Sequence, residues 1–193
     1  MDKLAALLIF LIFFLPAMSM PMTAQVVKLS YGVNYVDIDG DGTPDIITRS
    51  YLDNSNNNNA DFYQVMVRRP VKSRRADNRE WNLVPLVSGE KRYESFSGEV
   101  GRCIWNDVRF VREKSSSGRT RVFLYLFYSN PNDEAEHEIS VERYRFEETP
   151  SGRTVGDPPM AFVLDRKQAI RSKRCGVGEA DQLLPRIKSQ RKG

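Results

Sequence analysis

Apolar and polar residues alternate along most of the chain. In "DFYQVMVRR" (61–69) Phe62, Gln64 and Met66 fall on one side, and Tyr63, Val65 and Val67 on the other. A period of two is the mark of a strand with one buried face. "HEISVERYRFEE" (137–148) repeats it, with Ile139, Val141, Arg143 and Arg145 set against Ser140, Glu142, Tyr144 and Phe146. "GRCIWNDVRFVRE" (101–113) sets Cys103, Trp105 and Asp107 against Ile104, Asn106 and Val108. "RTRVFLYLFYSN" (119–130) is nearly all apolar and reads as a central strand buried on both faces. "AQVVKLSYGVNYVDI", "DIITRSYL" and a short final "MAFVLD" read as further strands. "REWNLVPLV" is broken by Pro85, which places it at an edge or a bulge. "KSSSGR", "NPND" and "TPSGR" are turns, and "NSNNNN" (54–59) is a polar loop. Only "DRKQAIRSK" and "GEADQLLPR" admit short helices. About seven or eight strands at hairpin spacing predict an all-β domain. The expected form is a single antiparallel β-sandwich with one or two short helices near the C-terminus; a closed barrel is the second choice.

The first residues do not belong to this pattern. Lys3 is followed by an apolar stretch from Leu4 to Leu15. That is short of the roughly 20 residues a membrane-spanning helix needs, and it suits the core of a secretory signal. Ala17-Met18-Ser19 provides small residues for cleavage after Ser19, with Ala24 as the alternative site. An uncleaved anchor is the competing reading. The expected organisation is a signal peptide at 1–19, a β-rich domain at 20–180 and a basic tail at 181–193, in a periplasmic or secreted protein. Removing the signal leaves about 170 residues, enough for one domain with its own core.

Export changes the meaning of the cysteines and of the charge. Cys103 and Cys175 are the only two cysteines. In an oxidising compartment an even number usually pairs, and the loop so closed is long enough for about 4 kcal/mol of stabilisation on the chain-entropy account. Two unpaired buried thiols are the alternative. Two cysteines and the single His137 cannot close a structural zinc site without carboxylates. The formal net charge is +4, with basic residues gathered in "RRPVKSRR" and in the tail. Nucleic acid is not an expected partner of an exported chain. Solvated loops account for these segments, and an anionic envelope surface is the other partner considered.

The densest chemistry lies in "YVDIDGDGTPDIITRSY" (35–51). Asp37, Asp39 and Asp41 alternate, Gly42 follows, and Asp45 closes the set. Ca²⁺ takes six to eight hard oxygen ligands and tolerates irregular geometry. The expected ligands are Asp37, Asp39, Asp41, Asp45 and the backbone carbonyl of Thr43, with Gly42 permitting the sharp turn. Without a cation, carboxylates this close would repel one another. An Asp/Gly-rich hairpin turn without metal is the plainer reading. The loop is not an EF-hand: counting from Asp37, the position of the bidentate Glu is Thr48. It resembles the loop of FG-GAP-type propeller blades, but the chain has only one copy, so a propeller is excluded. The expected role of the Ca²⁺ is structural.

These residues also carry a family resemblance. The segment from Gly32 to Val67 is similar to the start of the carbapenem intrinsic-resistance proteins of the CarG type. The matching positions are Gly32, Val33, Asn34, Asp37, Asp39, Asp41, Gly42, Asp45, Asn59 and Tyr63. The resemblance implies a periplasmic, non-hydrolytic protein that protects a carbapenem-producing cell, and a possible β-rich homodimer. The basic tail and "RRPVKSRR" depart from the family pattern.

Enzyme motifs do not assemble. A metallo-β-lactamase needs several histidines, and only His137 is present. Ser88-Gly89-Glu90-Lys91 fits Ser-x-x-Lys, but Ser-Asp-Asn and Lys-Thr-Gly are missing, and the match falls in an expected turn. His137, between Glu136 and Glu138, reads as a surface residue. The expectation is therefore a non-enzymatic exported resistance or accessory protein with a structural calcium loop, acting with an envelope protein or a carbapenem-related ligand. The alternative is a secreted calcium-stabilised β-domain that binds a protein or glycan.

Overall fold

The structure, a computed structural model, describes residues 24–53, 60–70, 79–89, 91–100, 105–114, 118–129, 137–148, 158–172 and 179–187. Twelve strands are described: β1 (Ala24–Val26), β2 (Gly32–Val36), β3 (Asp45–Leu52), β4 (Ala60–Pro70), β5 (Arg79–Leu83), β6 (Leu86–Ser88), β7 (Lys91–Tyr93), β8 (Phe96–Val100), β9 (Trp105–Lys114), β10 (Thr120–Ser129), β11 (His137–Glu148) and β12 (Met160–Ser172). One short helix, α1 (Glu179–Leu183), runs into a 3₁₀ turn at Leu184–Arg186.

The strands form one hydrogen-bonded path, β2-β3-β4-β8-β9-β10-β11-β12-β6-β7, with β5 added to β4 and β1 to β9. Short β8 is the corner. It pairs with the first residues of β4 and, on its other edge, with the first residues of β9. The path thereby divides into a smaller sheet, β2-β3-β4-β5, and a larger one running from β1 and β9 to β7. Every pair is antiparallel except β12 with β6.

The core lies between the two sheets. Val36, Ile47, Tyr63, Val65 and Val67 from the smaller sheet meet Val108, Phe110, Leu124, Tyr144 and Phe162 from the larger. Each fully buried side chain of this size contributes about 1.5–3 kcal/mol. This is the sandwich that the alternation predicts. The β4 pattern holds: Tyr63, Val65 and Val67 are buried, while Gln64 is exposed. β10 is central, between β9 and β11, and buries both faces. Val122, Leu124 and Leu126 face the sandwich core. Tyr125 and Phe127 face a second apolar cluster with Val111, Ile139 and Val141, capped by Ala180 and Leu183 of α1. Ile187 packs there too.

Two expectations are corrected. "DRKQAIRSK" is not helical: β12 continues through it, because β11 offers paired backbone partners from Glu148↔Met160 to His137↔Ser172. "AQVVKLSYGVNYVDI" is two strands, interrupted over residues 27–31, and the second begins at Gly32, which takes φ 95°. The break expected at Pro85 is present: it divides "REWNLVPLV" into the edge strand β5 and β6, and the Pro85 carbonyl accepts the Phe162 N–H at 2.8 Å. The strand count is consequently higher than hairpin spacing suggests. Cys103 and Cys175, the residues of the expected disulfide, lie outside the described residues, as do Asn59 and residues 1–23 with the expected signal peptide. No helix among the described residues is long and apolar enough to cross a membrane.

Candidate metal-binding loop

The aspartate loop joins β2 to β3 and folds on its own backbone. Asp37 Oδ1 accepts the Gly40 N–H at 2.8 Å, and its Oδ2 accepts the Gly42 N–H at 3.0 Å. Asp39 accepts the Asp41 N–H at 3.0 Å, and Asp41 accepts the Thr43 N–H at 2.6 Å. Such Asx turns are why short acidic side chains suit tight loops. Asp45 is different. It is 1% exposed, and its two oxygens accept the Ile38 N–H at 3.0 Å and the Arg68 N–H at 3.2 Å. The carboxylate thus ties the loop's first strand to β4.

The loop is also tied to the larger sheet. Val122 N–H donates to the Ile38 carbonyl at 2.9 Å. Gly40, with φ 78°, lies so close to Thr120 that a Cβ there would overlap the Thr120 carbonyl oxygen. Gly42 has φ 84°, but a Cβ there meets nothing within 4 Å. Sequence reasoning singled out Gly42 and passed over Gly40, whose constraint comes from a contact about eighty residues away in the chain. The two glycines should separate in mutagenesis. Gly42→Ala carries only the cost of a left-handed residue, about 1 kcal/mol. Gly40→Ala adds a backbone overlap and should cost about 2–3 kcal/mol in chemical unfolding.

Of the four expected aspartate ligands, the fold gathers three. Asp37, Asp39 and Asp45 each present one carboxylate oxygen within 4.8 Å of the others. Two oxygens bound to one Ca²⁺ at 2.3–2.6 Å lie at most about 5 Å apart, so the spacing fits a single ion. The set contains hard oxygen donors only, which fits Ca²⁺ better than zinc. Hydrogen bonds from backbone N–H groups leave each oxygen a further lone pair. Asp41 is not in the gathered group: it is exposed and turned to the Thr43 N–H.

The solved structure of CarG has this fold. It matches with a TM-score of 0.57, over 86% of this chain and 96% of CarG, at 18% identity. The likeness to CarG is therefore one of the whole domain, and at this identity it concerns the fold. No protein-family model matches the sequence, and no curated protein matches it.

Several residues of the CarG-type sequence pattern have architectural roles. The Asn34 amide holds the turn before β2, accepting the Ser30 N–H and donating to the Ser30 carbonyl, both at 2.8 Å, and it reaches the Ile47 carbonyl at 3.2 Å. Tyr63 packs its ring on Phe110. Burial, with Asp61 beside it, pushes the Tyr63 hydroxyl up to about 12. Ser88 and Lys91 face each other across the β6–β7 hairpin, so Ser-x-x-Lys spans a tight turn here. His137 is the first residue of β11, opposite Ser172.

Proposed function

We propose that the chain is an exported, non-enzymatic protein of the CarG kind that protects its cell from a carbapenem, with its aspartate loop stabilised by Ca²⁺. The observation that supports this reading best is the fold likeness spanning 96% of CarG. The loop adds to it, because Asp37, Asp39 and Asp45 converge at a spacing one Ca²⁺ can bridge. The ion would supply charge neutralisation and a fixed turn, a structural part in such loops. Asp37 and Asp39 would hold it from the loop and Asp45 from the start of β3. On this reading the protein acts by binding, to an envelope protein, a carbapenem-related ligand or a second copy of itself.

The test is expression of the full chain in a carbapenem-sensitive bacterium, with and without residues 1–19. Growth inhibition and the carbapenem left in the medium are measured together. Protection that requires residues 1–19 and leaves the antibiotic intact is the expected result. Disappearance of the compound would point to hydrolysis, and absence of protection would contradict the reading.

A second reading, a calcium-stabilised β-domain that binds a protein or glycan, is favoured by one group of residues. Tyr31 and Tyr51 are exposed, lie edge to face at 6.0 Å, and Tyr31 rests on the Arg49 guanidinium at 4.4 Å. Rigid exposed tyrosines are effective contact residues. Envelope binding lost on Tyr31→Ala, with no carbapenem phenotype, would favour it.

A further inference from the structure

Beside the aspartate loop, β10, β11 and β12 carry a second feature that the calcium reading does not use. A cleft of about 230 Å³ is lined by Arg121, Arg143, Arg145 and Arg166, with Phe123 and Asp165 among its walls. Three neighbouring strands supply the four guanidinium groups. The register shows why they converge. Arg143 pairs with Arg166 and Tyr144 with Leu164, so Asp165 is an extra residue in β12. A β-bulge of this kind bends its strand and re-aims side chains.

The bulged Asp165 holds two of the arginines. One of its oxygens is 3.1 Å from Arg143 and the other 3.2 Å from Arg145. Arg143 is further fixed by Glu113 at 2.9 Å and lies over the Phe123 ring at 3.7 Å. Its Nε is buried without a hydrogen-bond partner. Arg145 also pairs with Glu147 at 2.5 Å, yet its side chain remains 48% exposed. The Arg121 side chain is exposed, with no hydrogen bond or ion pair to another described side chain, and it also borders the neighbouring cleft with Asp39, Asp41, Glu147 and Glu148. Asp165 thus fixes two guanidinium groups beside an exposed third.

We propose that this cleft binds a small organic oxyanion. Arg121 and the exposed side of Arg145 take its carboxylate or phosphate head, and its apolar part lies against the Phe146 wall of the cleft. The planar guanidinium fork matches both kinds of head bidentately. A cleft of this volume lies below the roughly 300–1,000 Å³ of pockets that enclose drug-sized molecules, which suits a small ligand. Holding Arg143 and Arg145 in place beforehand reduces the ordering cost of binding.

The test uses the protein at low salt, titrated separately with benzoate and with inorganic phosphate, and followed by ¹H–¹⁵N spectra that include the arginine Nε–H groups. The expected result is saturable shifts confined to residues around Arg121, Phe146 and Arg145. Arg121→Ala should weaken binding about tenfold or more, as loss of a charge-assisted bidentate contact does. Arg145→Gln should weaken it as well. Arg68→Ala, on β4 of the smaller sheet where Arg68 lies over Trp81, should change nothing. Saturation with benzoate assigns the natural head as a carboxylate, and saturation with phosphate alone assigns it as a phosphate. If neither probe saturates at the cleft, or if Arg121→Ala binds as the wild type does, the proposal is wrong.

Discussion

Asp45→Ala lowers the stability of the metal-free domain by about 2–4 kcal/mol. The carboxylate is 1% exposed and accepts two backbone donors, Ile38 N–H and Arg68 N–H. Alanine removes both acceptors and leaves two N–H groups with no partner in a site closed to water. Each such group costs about 1–3 kcal/mol, and partial relaxation keeps the sum below the maximum. For a domain of this size about 2–4 kcal/mol corresponds to a fall of roughly 5–15 °C in Tm. Asp45→Asn keeps one oxygen but turns an NH₂ toward the second donor, so it should recover only part of the loss. The measurement is urea unfolding in the presence of a chelator, which separates this anchoring role from any bound ion. A change below about 0.5 kcal/mol, the range of ordinary surface substitutions, would show that Asp45 does not anchor the loop to β4.

Glu113→Ala is expected to cost about 3–4 kcal/mol. Glu113 is 3% exposed, accepts the Tyr125 hydroxyl at 2.5 Å and pairs with Arg143 at 2.9 Å. Its proximity, added to burial, raises the Tyr125 pKa well above 10.0. Removing one partner of a buried pair costs about 3–5 kcal/mol, because it strands the other charge. Arg143 keeps Asp165 at 3.1 Å, which places the expectation in the lower part of that range. The informative comparison is the double replacement Glu113→Leu with Arg143→Met. An apolar pair of similar volume is often close to neutral, so the double variant should be more stable than Glu113→Ala alone. If it is less stable, the pair contributes net stability beyond mutual compensation.

How far the sequence can be read depends on whether the deciding contact is local. β3 coincides with "DIITRSYL", and the two-sided burial of β10 follows from an apolar run with no alternation. Both features depend on nearby residues. The end of β12 was misread because "DRKQAIRSK" is polar and lacks an obvious period. Only the pairing with β11 makes it a strand. The division of the path into two sheets rests on β8, five residues long, which was not read as an element. In the loop, the run of aspartates was plain from spacing alone. The second role of Asp45 was not, since its partner Arg68 stands 23 residues away on another strand. Gly40 was missed for the same reason, its neighbour being Thr120. The arginine cleft could not be foreseen, because it needs three strands in register and a bulge.

The most direct test of the calcium loop is thermal unfolding of the chelator-stripped protein against added Ca²⁺. The same titration is run on the double variant Asp37→Asn, Asp39→Asn, which spares the structural Asp45. Extracellular calcium sites commonly bind with Kd of about 10⁻⁴–10⁻³ M. At about 10 mM Ca²⁺ that range stabilises the folded state by roughly 1.4–2.7 kcal/mol. The expected result is a concentration-dependent rise in Tm for the wild type, weaker with Mg²⁺ and lost in the double variant. A wild-type Tm indifferent to Ca²⁺, or a rise that persists when Asp37 and Asp39 are changed, would contradict the account.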